Sequence, residues 1–356
     1  GEVFFSNSDT EVILAAYKVW GTECFNKFIG MWAIAIYDSD ENSLILCRDR
    51  LGIKPLYYTN TNREIGFGSE PKILLSYNQN LSVLNNDSLS DYFSYRFPLG
   101  NKTFYKNIKI IEPGSFIKFT ESNYIEKKYW ELKVEKDKVD PGKKKITEDL
   151  TDLLNSSVKY RMISDVPVGI FLSGGYDSAV VAAILQSNRS EKLKTFTIGF
   201  KEKKYDEISF ARQTATYLGT NHTDYYCTQQ DALDIMLKLP EIYDEPLGDN
   251  SVIPTILVSQ IAKKDVDVCL SADGGDEIFG GYNKYSSIIK KIEIFGKMPD
   301  FLKPVLANVL RKQLVHKSLT IFGRMYNSKT RCNKFAEILD FNEKQILKAS
   351  GIFTKD

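Results

Sequence analysis

The feature that most constrains the fold of this chain is a Ser/Gly turn between a short apolar run and a helical pattern. The run Val166–Ile170 leads into Phe171-Leu172-Ser173-Gly174-Gly175-Tyr176-Asp177-Ser178, and Ala179–Leu185 continues with mostly apolar residues. This order predicts a buried strand, a tight turn and a helix. Glycine adopts backbone angles that are closed to other residues and places no Cβ in the way of a ligand, so the turn suits a phosphate group.

The chemistry of this turn also fits phosphate. The amides that open the following helix, together with the positive end of its dipole, favour an anion. Ser173 and Ser178 add hydroxyl donors, and Asp177 is suited to hold Mg²⁺ that accompanies phosphates. The chain contains neither GxxxxGK[ST] nor GxGxxG, so neither of the common nucleotide loops is indicated. A glycine-rich turn without a ligand stays open as the plain structural alternative.

From Ile146 onward the pattern alternates between helices and strands. Helices are predicted at 146–160, 178–187, 206–218, 230–238 and 252–263, and strands at 166–172, 195–200, 223–227 and 266–270. Such alternation predicts a doubly wound parallel α/β sheet, and sheets of this kind bind ligands beyond the carboxyl ends of their strands. The polar block Ser271–Tyr282 follows the last strand, so one crevice could receive both this block and the Ser/Gly turn.

The first 131 residues show an α+β pattern instead. Residues 9–19 have helical spacing, with Asp9 placed as the N-cap. Strands are predicted at Met31–Tyr37, Leu44–Arg48, Tyr57–Thr59 and Ile65–Phe67. Residues 87–131 mix short elements with aromatic residues, which suits packing between domains. We therefore predict an α+β domain with an inter-domain segment at 1–131, a linker at 132–145 and an α/β domain at 146–356.

Composition excludes some classes of function. With 47 basic and 46 acidic residues, the net charge of +1 offers no electrostatic case for nucleic acid or a membrane surface. No apolar run approaches the length of a membrane span, and no signal peptide is visible. A cytoplasmic protein is predicted, and a homodimer stays an open alternative. Cysteines without CxxC spacing are expected to be buried thiols in a reducing compartment: Cys24, Cys47, Cys227, Cys269 and Cys332.

Two motifs resemble those of a known family. Ser173-Gly174-Gly175-x-Asp177-Ser178 resembles the signature of the ATP pyrophosphatases, which split ATP between its α and β phosphates and activate a substrate as an adenylate. The block Ser271–Tyr282 resembles the second active-site loop of the glutamine-dependent asparagine synthetases. Arg48–Tyr58 and Phe67–Glu70 resemble the amidotransferase half of these enzymes, and Thr103–Trp130 resembles their inter-domain segment.

The resemblance implies a partial N-terminal-nucleophile-type α+β amidotransferase domain followed by a doubly wound parallel-sheet ATP-pyrophosphatase domain. It implies ATP and Mg²⁺ as cofactors. Aspartate would be activated as β-aspartyl-AMP and amidated by ammonia, with glutamine as the ammonia source, to give asparagine, AMP and pyrophosphate. Two alternatives stay open. One is a related amidotransferase acting on another carboxylate, in a surface-polysaccharide or antibiotic pathway; the other is a nucleotide-binding fragment without turnover.

The resemblance also implies roles for single residues. Asp273 matches an acidic residue implicated in forming or using the acyl-adenylate. Asp177 and Asp276 match two Mg²⁺-binding carboxylates, which can converge only if a cation lies between them. Ile198 matches a strand residue that contacts adenine through its backbone. The remaining matches are to ATP- and pyrophosphate-binding positions: Leu172, Ser173, Gly174, Gly175, Asp177, Ser178, Ser271 and Ala272.

The chain departs from the family pattern at both ends. The family hydrolyses glutamine with an N-terminal Cys, whereas this sequence starts at Gly1, and only Asp9 matches a glutamine contact, the one that binds the α-amino group. An exposed ion pair contributes about 0–1 kcal/mol, whereas millimolar binding needs about −4 kcal/mol, so the chain as written is not expected to hydrolyse glutamine. Ser286–Asp356 carries neither the family's late motif nor a matchable catalytic Lys. The chain is therefore interpreted as truncated at both ends, with the synthetase domain incomplete.

Two further positions give hypotheses about side chains. Tyr176, where the family usually has Leu, is expected to point into the contact between sheet and helix. The polar cluster Asp244-Glu245-Pro246 and Gly248–Ser251 precedes a predicted helix. It has two interpretations, an N-cap and turn, or a grip on the amino-acid substrate.

Overall fold

The computed structural model describes residues 3–61, 64–133, 140–202, 206–283, several single positions between 285 and 299, and 301–311. Part of the predicted linker (134–139), the C-terminal stretch 312–356 and Cys332 lie outside these ranges. The chain divides into two compact units, Gly1–Ser271 and Ala272–Asp356.

The first unit begins with helix α1 (Asp9–Trp20) and two antiparallel sheets. The strands are β1 (Ala33–Asp38), β2 (Ser43–Arg48), β3 (Tyr57–Thr61), β4 (Glu64–Gly68), β5 (Lys109–Ile110), β6 (Ser115–Phe119) and β7 (Tyr124–Lys128). One sheet has the order β1-β2-β6-β7 and the other β4-β3-β5. Helices α2 (Pro71–Tyr77) and α3 (Asn86–Tyr95) follow β4. The predicted helix and strands of this region are confirmed, with their ends shifted by two residues at most.

Alternation along the strands places one apolar layer between the two sheets and another under α1. Leu46, Tyr58 and Ile117 lie between the sheets. The neighbouring positions Cys47 and Phe116 face the other way and pack with Ala16 of α1. Because successive side chains of a strand point to opposite faces, this is the arrangement that period-two patterning produces.

The interpretation of 87–131 as packing between domains was wrong for its second half. Residues 115–119 form β6, which pairs antiparallel with β2, and β7 continues the same sheet. Four of the five β6 residues are buried, so this segment belongs to the core of the first sheet.

The N-cap predicted for α1 was also wrong by one residue. Ser8 is the N-cap of α1 and accepts a hydrogen bond from the Thr10 amide, while Asp9 is the first helical residue, where its charge still favours the helix dipole.

The second part of the first unit alternates helices with parallel strands. Its helices are α4 (Lys143–Arg161), α5 (Tyr176–Ser187), α6 (Ile208–Leu218), α7 (Gln229–Ile242) and α8 (Val252–Ala262). Its strands are β8 (Val168–Phe171), β9 (Lys194–Gly199), β10 (Asn221–Tyr226) and β11 (Val268–Leu270). The sheet order is β10-β9-β8-β11, and every neighbouring pair is parallel. Helix α4 begins three residues inside the segment predicted as linker.

Helices cover both faces of this sheet. Val158 of α4 and Ala182 of α5 pack with Ile170 on one face, and Val258 and Ala262 of α8 pack with residues of β9 on the other. The doubly wound parallel sheet predicted from the sequence is confirmed.

Strand β8 marks the point where the chain changes direction across the sheet. From β8 the chain moves outward to β9 and β10, and β11 then pairs with the opposite edge of β8. Ligands of open α/β sheets bind at such a switch point, beyond the carboxyl ends of the strands. The Ser/Gly turn follows β8, and Ser271 follows β11, so both lie at that end of the sheet.

The second unit contains the short helix α9 (Gly275–Phe279) and a helix at Leu302–Arg311. Gly274 precedes α9 with a φ of 91°, in the left-handed region that favours glycine. Among the described residues, no helix combines the length and apolar character that crossing a bilayer would require.

Candidate nucleotide site

The Ser/Gly turn is anchored to the sheet by Leu172. Its amide donates to the carbonyl oxygen of Phe196 at 2.9 Å, one residue beyond the end of β8. The carbonyl oxygen of Leu172 accepts from the hydroxyl of Thr197, which is itself buried. The Leu172 side chain is 1% exposed. Leu172 therefore fixes the base of the loop, and the buried Thr197 is a supporting residue that sequence reasoning missed.

Ser178 closes the loop by hydrogen bonds to Ser173. Its Oγ accepts from the Ser173 amide at 3.1 Å and lies 2.8 Å from Ser173 Oγ. Ser173 Oγ in turn accepts from the Gly175 amide at 3.1 Å. Ser178 is 5% exposed, so its hydroxyl is directed into the loop. Gly175 occupies the N-cap of α5 and has no side chain to cap the first-turn amides, which leaves those amides suited to an anion.

Gly174 brings the loop against the start of α6. A Cβ built at Gly174 would lie 3.2 Å from Phe210 Cβ and 3.3 Å from Glu207 Cβ. The Gly174 amide donates to Glu207 Oε2 at 3.2 Å. Glu207 was not singled out from the sequence. Its place at the start of a predicted helix, directly after a strand ending at the same edge of the sheet, was the signal that could have found it.

Asp177 lies in the first turn of α5, partly buried. Within the described part of the chain, its carboxylate has no hydrogen-bond or ion-pair partner. A carboxylate that has no partner and lies beside the Ser/Gly turn can take a cation.

Tyr176 is 91% exposed, so the prediction that it packs between sheet and helix was wrong. The inward face of α5 carries Ser178 and Ala182, and Tyr176 falls on the outward face.

Ile198 presents its backbone beyond the end of β8. Phe196 pairs with Phe171, the last residue of β8, and the Phe196 carbonyl points towards β8. Backbone groups two residues apart on a strand point the same way, so the N–H and C=O of Ile198 face the same side with no β8 residue opposite. The backbone contact of Ile198 to adenine stays a prediction.

The second predicted loop starts at Ser271 and continues into the second unit. Ala272, Asp273 and Asp276 surround the start of α9, and the Gly275 amide donates to the Ala272 carbonyl oxygen at 3.4 Å. Asp276 lies in the first turn of this helix. A Cβ at Gly281 would overlap Asp276 Oδ1, so a residue without a side chain is needed there if the Asp276 carboxylate is to keep its place.

A carboxylate–phenol pair follows in the same loop. The hydroxyl of Tyr282 donates to Glu277 Oε1 at 2.6 Å, and this hydrogen bond raises the pKa of Tyr282 to about 12. The tyrosine is therefore a neutral donor at ordinary pH.

The described residues contain no group of three or more His, Cys, Asp or Glu side chains able to hold a metal ion by themselves.

The polar cluster Asp244–Ser251 before α8 was interpreted either as an N-cap and turn or as a grip on the substrate. The structure shows a turn in one part of the cluster and contacts with a distant part of the chain in the other. Asp249 Oδ1 accepts from the Ser251 amide at 2.8 Å, which confirms a turn at that point. Asp244 and Glu245 instead contact the part of the chain that contains the antiparallel sheets. Asp244 Oδ2 accepts from the Lys72 amide at 2.7 Å, at the start of α2. Glu245 Oε1 accepts from the Phe104 amide at 2.6 Å, and burial raises the pKa of Glu245.

The cysteines of the described region are free thiols. Cys24, Cys47 and Cys227 are buried, and Cys269 is partly buried. Burial raises the pKa of Cys24 and of Cys269 to about 11, so both are protonated, unreactive thiols near neutral pH.

The fold and the site together define a class. A doubly wound parallel sheet with a Ser/Gly turn at its switch point has the architecture of α/β domains that bind ligands at that edge, here preceded by antiparallel sheets. The sequence matches the model of the Asparagine synthase family over residues 149–349 and that of the Glutamine amidotransferase domain over residues 1–130. The chain therefore belongs to the asparagine synthase family.

Similar curated proteins agree with these matches. The chain is 41% identical over 305 residues to a putative asparagine synthetase [glutamine-hydrolyzing] 2 of Methanocaldococcus jannaschii, covering 84% of this chain and 58% of that protein. It is 35% identical over 315 residues to asparagine synthetase [glutamine-hydrolyzing] 1 of Bacillus subtilis, covering 87% and 48%. It is 29% identical to asparagine synthetase B [glutamine-hydrolyzing] of Escherichia coli, covering 78% and 48%. The chain thus spans about half the length of the curated relatives it matches.

Proposed function

We propose that the protein is a glutamine-dependent asparagine synthetase, an ATP-dependent carbon–nitrogen ligase that converts aspartate to asparagine. The observation that carries this proposal is the Ser173–Ser178 loop at the switch point of the sheet, in a chain of the asparagine synthase family. We assign residues 1–131 to the amidotransferase domain and its connection, 132–142 to a linker and 143–356, which begins with α4, to the synthetase domain.

In the first step the loop holds the β and γ phosphates of ATP and leaves the α phosphorus open. An oxygen of the aspartate β-carboxylate attacks this phosphorus, the bond to the bridging oxygen breaks, and pyrophosphate leaves with the electron pair. The uncapped first-turn amides of α5 and the hydroxyl of Ser173 offset the charge that grows on the leaving group. Ser178 and Leu172 support this step by holding the loop in place.

The nucleoside part of ATP is assigned to the neighbouring backbone. The N–H and C=O of Ile198 offer one donor and one acceptor to the edge of adenine. Ser271 and Ala272 are proposed as further nucleotide contacts. The support is the position of Ile198 beyond the end of β8, and that of Ser271 directly after β11.

The residues present fit Mg²⁺. This ion prefers oxygen ligands and is usually held by one or two carboxylates together with substrate phosphates and water. Asp177 is the proposed carboxylate of the first unit, and the match of Asp276 to a second Mg²⁺-binding carboxylate stays a prediction. When bound, the ion would neutralise phosphate charge. The support is chemical, namely a partly buried Asp177 without a partner in the described part of the chain, and the space that Gly281 leaves for Asp276.

In the second step, ammonia attacks the carbonyl carbon of β-aspartyl-AMP, the carbon–oxygen bond breaks, and AMP leaves as asparagine forms. The nitrogen must lose a proton during this step. Asp273 is the proposed carboxylate at this point, either in forming the adenylate or in accepting that proton. Its support is its place in the loop that follows β11.

Glutamine is the proposed source of ammonia in the whole protein. Asp9 is the one described residue assigned to glutamine, through its α-amino group, and lies at the exposed start of α1. A cytoplasmic location and a homodimer stay predictions. Direct contact with nucleic acid is not part of the proposal, because the net charge of +1 gives it no electrostatic support.

The proposal is tested by AMP and pyrophosphate formation from MgATP and ammonium chloride with a panel of acids. We expect turnover with aspartate and much less with glutamate, which is one methylene longer, or with succinate, which lacks the α-amino group. Turnover with another acid and none with aspartate would contradict the assigned substrate. ATP binding without turnover on any acid would contradict the assignment as a ligase.

A further inference from the structure

Glu207 contacts a backbone amide of the loop that the proposed function assigns to phosphate. Its Oε2 accepts the hydrogen bond from the Gly174 amide at 3.2 Å. The two segments are also close in their backbones, because a Cβ at Gly174 would lie 3.4 Å from the Glu207 carbonyl oxygen. The first turn of α6 therefore packs against the loop, and the carboxylate of Glu207, the residue that precedes α6, reaches a loop amide.

A phosphate oxygen and the Glu207 carboxylate are alternative acceptors at this position. The Gly174 amide has a single hydrogen, and two anions placed beside the same donor repel each other. Glu207 is exposed, so its carboxylate can turn into solvent without the cost of burying a charge.

The carboxylate of Asp206, the preceding residue, cannot turn into solvent in the same way. Asp206 Oδ1 accepts from the Ile208 amide at 3.1 Å, and Asp206 Oδ2 accepts from the hydroxyl of Tyr226 at 3.4 Å. Asp206 is thus held by the start of α6 and by β10, whereas among the described residues the Glu207 side chain is held by its hydrogen bond to Gly174. Of the two adjacent acids, Glu207 is the one placed to move.

We propose that Glu207 competes with the phosphate groups of ATP and pyrophosphate for the Gly174 amide. Its carboxylate leaves the loop when the triphosphate binds and returns when pyrophosphate departs, so it weakens pyrophosphate binding and favours product release. This inference rests on the proposed function, because it requires that the loop holds the β and γ phosphates.

The test is calorimetric binding of pyrophosphate, with Mg²⁺ present, to the wild-type protein and to its variants. Glu207→Ala is expected to bind pyrophosphate about 3- to 10-fold more tightly, the size of the net contribution of one typical hydrogen bond, because the charge of Glu207 is screened by solvent at this exposed site. Glu207→Gln is expected to show a smaller gain, because its amide oxygen can still accept from Gly174. Glu241→Ala, which removes an exposed carboxylate on α7, is the matched control and should leave the affinity unchanged. Unchanged or weaker pyrophosphate binding in Glu207→Ala would overturn the inference.

Product inhibition provides a second measurement. In aspartate-dependent AMP formation, the inhibition constant of pyrophosphate should fall in Glu207→Ala by the factor seen in binding. Aspartate-dependent turnover with an unaltered inhibition constant would overturn the inference and leave the proposed function standing. Tighter pyrophosphate binding without any aspartate-dependent turnover would support the inference and contradict the proposed function.

Discussion

Asp177→Asn is expected to lower kcat for aspartate-dependent AMP formation by at least about 100-fold, because it removes a charged oxygen ligand beside the transferring phosphates. The two side chains have nearly the same shape, and Asp177 has no partner among the described residues that the change would break. Its structural cost should therefore be small, and Tm should stay close to that of the wild type. The measurement is steady-state AMP formation over a range of Mg²⁺ concentrations.

The dependence on Mg²⁺ separates a ligand from a merely structural residue. If Asp177 holds the ion, the variant should need more Mg²⁺ for half of its maximal rate. Asp152→Asn, which neutralises an exposed carboxylate on α4, is the matched control and should behave as the wild type. A variant at position 177 with full activity and an unchanged Mg²⁺ requirement would remove Asp177 from the site.

Ser178→Ala is expected to lower kcat/KM for ATP by about 100-fold, although Ser178 is buried beneath the loop. The change removes the acceptor of the Ser173 amide and the partner of the Ser173 hydroxyl. Misplacing a binding group by about 1 Å can cost a factor of this size. The unpaired Ser173 amide should also cost about 1–2 kcal/mol of unfolding free energy.

A serine at the other end of the same helix provides the control. Ser187 Oγ donates to the Ile184 carbonyl oxygen at 3.0 Å on the exposed side of α5. Ser187→Ala should leave kcat/KM for ATP within about twofold of the wild type, since surface changes of this kind usually alter stability by no more than about 0.5 kcal/mol. Wild-type kinetics in Ser178→Ala would show that the loop keeps its shape without this hydroxyl.

Features that depend on local pattern could be predicted from the sequence. The strand, the Ser/Gly turn and helix α5 follow from an apolar run, two glycines and a renewed apolar pattern. The parallel sheet follows from the alternation of strands and helices, and the ligand edge follows from the sheet type. The loop Leu172–Ser178 is therefore predictable from the sequence as one unit.

Features that depend on contacts between distant segments could not be predicted. Glu207 meets Gly174 from 33 residues along the chain, and Glu245 meets the Phe104 amide from 141 residues away. No spacing rule relates such pairs. The prediction for Tyr176 failed because the turn geometry decides which face of α5 its first residue occupies. The N-cap prediction failed because Ser8 and Asp9 are both good caps, and the side-chain geometry selects between them.

Aspartate labelled with ¹⁸O in its β-carboxylate shows directly whether a carboxylate oxygen attacks the α phosphorus of ATP, once the products are separated and analysed by mass spectrometry. We expect AMP to carry one ¹⁸O atom, because the attacking oxygen stays on phosphorus when ammonia breaks the carbon–oxygen bond. Formation of ADP with the label in inorganic phosphate would show attack at the γ phosphorus instead and would contradict the proposed adenylate.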